Sequence, residues 1–143
     1  MKDKLKKFGK FILTHAFRFA VFCVMLYFFN GFCFGFETAR KLPDYDTVAQ
    51  VEVIPSDSTL APVTYAPPKS VVLPLAALAG YCDYTLWHGE ETAPGRLTFL
   101  ITANDGEVFI VTVGDKTITF NGSVRGLKHE NAVQMLTDVL LLD

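Results

Sequence analysis

The chain has 143 residues, half of them apolar, with thirteen basic and fifteen acidic side chains, which leaves room for one modest folded domain. The small net charge conceals an asymmetry: residues 1–18 carry six basic side chains against Asp3 alone, and from Glu37 onward fourteen acidic residues outnumber seven basic ones. So acidic a carboxyl-terminal part presents no cationic face to a phosphate backbone, which excludes nucleic acid as a partner class.

Residues 1–10 form a basic end. Leu5, Phe8, Ile12, Ala16 and Phe19 recur at helical spacing with Lys4, Lys7, Thr14 and Arg18 opposite, an amphipathic entry suited to an anionic leaflet. Residues 11–36 are then read as one apolar helix. A bilayer core of about 30 Å needs roughly 20 apolar residues, and Phe19 to Phe36 supplies eighteen, broken only by Asn30, Gly31 and Gly35. A cleaved signal has a shorter apolar region and a small-residue cleavage site. Aromatic residues crowd the sites on offer here, at Cys33 and Gly35, so the segment is expected to stay as an anchor, with the lipid bilayer as its partner. Lys4, Lys6, Lys7, Lys10 and Arg18 precede the span and only Arg40 and Lys41 follow it closely, which places the amino end in the cytoplasm and the carboxyl end outside. Gly31 and Gly35 form a G-x-x-x-G pair on which a second helix could pack, giving a homodimer; the alternative is that they let the chain leave the helix.

Five of the seven prolines fall between Leu42 and Ser70, and such a composition favours an extended, solvated chain. Residues 37–69 are accordingly expected to be a stalk. Within it Val48 to Ile54 alternates, with Ala49, Val51 and Val53 on one side, as a short strand able to add to a sheet edge. The stretch VVLPLAALAG, 71–80, is too short to cross a bilayer and reads as a buried helix starting at Pro74, with Leu75, Leu78 and Cys82 on one face.

Residues 70–143 are expected to fold as a small α+β domain. RLTFLITA, EVFIVTV and KTITF are separated by Asn104-Asp105-Gly106 and Gly114-Asp115, the pattern of an antiparallel meander. Leu97, Phe99 and Ile101 share a face, as do Phe109, Val111 and Val113. Val108 and Ile110 make the middle strand apolar on both sides, hence central. YCDYTLW, 81–87, reads as a fourth strand. The end of the chain repeats Val133, Leu136 and Leu140 at helical spacing, widened by Ala132, Met135 and Val139, which predicts a helix packed on the sheet.

Chemistry-bearing motifs are few. His129-Glu130 opens an H-E-x-x-H pattern, but Val133 stands where the second imidazole belongs. Trp87, His88, Glu90 and Glu91 form a polar loop beside an aromatic, read as a binding loop; an acid–base pair of His88 with Glu90 or Glu91 in a hydrolase is the weaker alternative. Asn121-Gly122-Ser123 matches a glycosylation acceptor. No phosphate loop or nucleophile elbow occurs, and no cofactor or metal is implied. The reading is thus a single-pass membrane protein displaying a binding or scaffolding module to an extracytoplasmic protein partner. The alternative is a secreted inhibitor or effector released by cleavage near Gly35.

Overall fold

The computed structural model describes residues 2–34, 36–67, 70–85 and 95–141. The chain divides into two compact units, Met1–Phe34 and Gly35–Asp143.

The first unit is a single helix, α1 (Lys2–Phe34). Its stretch Lys4–Asn30, 27 residues, is long and apolar enough to span a membrane, about 40 Å at 1.5 Å per residue. No side chain in that stretch is covered by protein. Thr14 within it donates its hydroxyl to the Lys10 carbonyl at 2.8 Å, so this polar group is satisfied by the helix itself.

The second unit is α+β. Among its described residues seven strands form one antiparallel sheet: β1 (Val48–Pro55), β2 (Val63–Tyr65), β3 (Tyr84–Thr85), β4 (Leu97–Ala103), β5 (Val108–Val113), β6 (Thr117–Phe120) and β7 (Ser123–Leu127), in the order β2-β1-β4-β5-β6-β7-β3. Two helices, α2 (Val72–Tyr81) and α3 (Ala132–Leu140), supply the other layer. Val51, Val53, Phe99, Ile101, Val111, Val113 and Ile118 point from the sheet into one core, which Leu75, Leu78, Leu136 and Leu140 enter from the helices. Leu75, Leu78 and Cys82 are buried together at the α2 end of that core. Pro74 falls in the first turn of α2, where its missing N–H breaks no helical bond.

The proline-bearing segment differs from the expected stalk. Phe36 donates its backbone N–H to the Tyr84 carbonyl at 2.6 Å and accepts one from Tyr84 at 3.1 Å. Thr38 is buried and its hydroxyl donates to the Cys82 carbonyl. Strand β1 is not an edge addition: it lies between β2 and β4 and pairs with β4 from Val48↔Ala103 to Pro55↔Leu97. Of the segment's described prolines, Pro55 sits at the end of β1 and Pro43, Pro62 and Pro67 in connections, where no ladder bond is lost. Tyr65 at the end of β2 donates its hydroxyl to the Leu140 carbonyl at 3.0 Å, tying that edge to α3. A register shift between Val48 and Gln50 leaves Ala49 as the extra residue, so Val48 rather than Ala49 is buried; a bulge breaks the period-two pattern at that point.

Strand β5 is the middle strand of the seven, as expected, with Val111 and Val113 buried on one side and Val108 and Ile110 exposed on the other. Of the strand expected over 81–87, the described residues 81–85 show Tyr81 closing α2 and Tyr84–Thr85 as strand at the sheet edge. Met135 faces outward from α3.

Candidate functional site

Among the described residues no helix covers the second face of the sheet. Alternation places on it the residues between the buried ones, and the ladder aligns them in cross-strand rows. One row runs Ile54, Thr98, Thr112, Thr119 and Val124; the next Thr64, Glu52, Leu100 and Ile110; the third Gln50, Thr102 and Val108. Val108 is 47% and Ile110 42% exposed. The face is therefore aliphatic and hydroxylic, with Glu52 as its charge in these rows. Such a surface makes hydrogen bonds and buries methyl groups at little desolvation cost, which suits recognition rather than proton or electron transfer.

Gly95 enters at one corner of this face. A Cβ on it would lie 2.0 Å from the Thr112 Cγ2, so the backbone passes against that side chain. Gly95 follows the stretch that contains Trp87, His88, Glu90 and Glu91, and all four lie outside the described residues. Gly31 belongs to α1, and its partner Gly35 is also outside the described residues.

A second feature is a cleft of about 340 Å³ between the β1–β2 connection, the β5–β6 turn and α3, lined by Asp57, Leu60, Arg96, Asp115, Glu130 and Gln134 among others. The Arg96 guanidinium spans both Asp115 carboxylate oxygens, at 3.2 and 3.3 Å. Both side chains are about half exposed, so the pair positions the turn more than it stabilises the fold. The backbone N–H of Thr59, aided by its hydroxyl, holds the Asp57 carboxyl below its usual range. Within this cleft Asp57 is thus paired with Thr59, and Arg96 with Asp115. His129 is exposed and precedes α3 rather than riding on it. Among the described residues no three His, Cys, Asp or Glu side chains stand together as a metal site.

Cys82 is the cysteine of the second unit. It is fully buried at the end of α2, and burial, with the nearby Asp83 charge, pushes its thiol up to about 12. A thiol so placed stays protonated and inert. No family model, curated protein or solved structure matches the chain.

Sequence reasoning placed β5 centrally from its two apolar sides but did not single out the side of Val108 and Ile110 as an open face. The signal for it was the threonine content of the neighbours: Thr98, Thr102, Thr112 and Thr119 alternate with buried residues, as half-solvated strands do.

Proposed function

We propose that this chain is a single-pass membrane protein whose second unit is an extracytoplasmic binding module without catalytic chemistry. The observation that carries this reading is α1: 27 residues of apolar helix on which protein covers nothing, while the second unit closes its own core. In water that surface would drive aggregation; in lipid it is the solvated state. The basic residues before the span support an amino end in the cytoplasm. The open β-sheet face, with Val108 and Ile110 bare among threonines, supports recognition of a protein partner outside.

The test is membrane extraction combined with protease access. Full-length chain is expected to remain in the membrane through alkaline carbonate, and protease added outside intact spheroplasts or cells is expected to remove residues 36–143. Release of a soluble form beginning near Gly35 would favour secretion. Complete protection of the carboxyl end would reverse the topology.

A further inference from the structure

Helix α2 has no polar side chain before its last residue, Tyr81. Pro74, Leu75, Ala77 and Leu78 face the core. The other side is equally apolar: Val72 is 45% and Leu73 44% exposed, with Ala76 and Gly80 beside them. A helix on the outside of a water-soluble domain turns polar residues outward. Its neighbour α3 does so in the same layer, with Gln134 and Asp138 exposed and hydrogen-bonded at 2.7 Å. The apolar outer face of α2 is thus not a demand of the architecture. An open groove of about 250 Å³ continues it toward Leu42, Pro43 and Tyr45, and Tyr45 stands largely in the open.

The chain itself says what lies near this surface. A single residue, Gly35, separates the end of α1 from Phe36, a reach of about 7 Å across two residue steps. Phe36 is already bonded to Tyr84, and Thr38 to the Cys82 carbonyl at the end of α2. Whatever solvates the end of α1 is therefore within reach of the layer that holds α2.

We propose that the outer face of α2, with Leu42 and Tyr45, rests on the outer leaflet of the bilayer that α1 crosses. The proposal rests on the membrane-anchor reading above. Ten residues are too few to span, but an apolar helix face can lie in the interfacial plane. The short connection raises the effective concentration of lipid at that face, so a modest apolar area suffices. Between residues 37 and 46, Glu37, Asp44 and Asp46 outnumber Arg40 and Lys41, and Arg40 is paired with Glu37 at 3.2 Å. Apolar burial rather than headgroup charge holds the surface, so phosphatidylcholine is as good a partner as an anionic lipid. Since both helices share one face of the sheet, this seating turns the open face of Val108 and Ile110 away from the bilayer.

The experiment is tryptophan quenching by brominated lipid in the full chain, reconstituted in phosphatidylcholine vesicles. Trp87→Phe removes the only native tryptophan, and single reporters are placed by Ala76→Trp on α2, Val108→Trp on the open sheet face and Val24→Trp in α1. Bromines near the headgroup end of the acyl chains are expected to quench the Ala76→Trp reporter roughly twofold or more above the Val108→Trp reporter, with no change at high salt. Val72→Asp with Leu73→Asp should abolish that difference and leave thermal unfolding unaltered, because both side chains are already half in solvent. Equal quenching of the Ala76→Trp and Val108→Trp reporters, with the Val24→Trp reporter quenched, would overturn lipid seating and spare the anchor. An Ala76→Trp reporter whose emission is blue-shifted yet unquenched would mean that protein, a second copy or a partner, covers α2, and would also overturn it. An unquenched Val24→Trp reporter would remove both readings together.

Discussion

At the residue scale the second unit is held by a few polar contacts in an apolar setting, and Cys82 shows their chemistry most directly. Its carbonyl receives the Thr38 hydroxyl and its backbone N–H donates to Leu78 at 3.1 Å, so it joins the chain leaving α1 to the end of α2. Its side chain is buried in the core. With the thiol raised from an ordinary 9.0 to about 12, the native state keeps a proton that the unfolded chain releases. The contribution to stability is therefore complete below pH 9 and declines as pH rises toward 12, by at most about 1.4 kcal/mol per pH unit. Native protein should resist thiol alkylation at pH 8 at this position and react on unfolding. Cys82→Ala, a near match in volume, should flatten the alkaline fall in melting temperature relative to the wild type. Rapid native alkylation of Cys82, or an identical alkaline fall in the variant, would contradict this account. The reading of Cys82 as a small buried hydrophobe was open to sequence because it follows Leu75 and Leu78 at helical spacing. Its bond to Thr38, 44 positions away, has no local pattern that announces it.

At the element scale, strong alternation was legible and weak or context-dependent pairing was not. Strands β4, β5 and β6 follow from Leu97-x-Phe99-x-Ile101, Val111-x-Val113 and Ile118-x-Phe120 with turn residues between them, and the structure buries those side chains. Strand β7 escaped because SVRGL carries an arginine and a glycine. The turn before it was the signal: Asn121 and Gly122 both take positive φ, 45° and 86°, between the paired residues Phe120 and Ser123, the geometry an Asn-Gly hairpin demands. Strand β1 was legible as a strand, but its place in the sheet was not. Its alternation was visible, but the surrounding prolines argued for a tether, and only long-range pairing with β4 decides that it is interior. Val53→Ala should therefore cost about 2–3 kcal/mol, as deletion of core methyl groups does, whereas Glu52→Ala on the open face should stay within about 0.5 kcal/mol. Denaturant unfolding of the two variants in parallel checks this. A Val53→Ala variant as stable as Glu52→Ala would return residues 48–55 to the status of a stalk.

At the scale of the whole molecule the consequence is that the second unit is paired from Phe36 onward, through its bonds to Tyr84, and that residues before 70 complete its sheet. The boundary can be tested by fragments. A piece beginning at residue 70 retains the meander, both helices and most of the apolar core, and composition alone recommends it as a domain. It lacks β1 and β2, however, so the edge of β4 that pairs with seven residues of β1 is bare from Leu97 to Ala103, and the space of Val51 and Val53 is empty. Tyr65 is also gone, leaving the Leu140 carbonyl without that donor, and the exposed β4 edge offers a template for pairing with other copies. A small domain has little stability to lose, on the order of 5–15 kcal/mol in total, and two core valines with a whole strand ladder exceed a large part of it. The 70–143 fragment should therefore be unfolded or aggregated, with no cooperative melting by circular dichroism and no dispersed amide spectrum, while a 36–143 fragment should give both. Cooperative unfolding of the 70–143 fragment at a midpoint close to that of 36–143 would show that β1 and β2 are an ornament on a domain already complete, and would restore the tether between membrane and module.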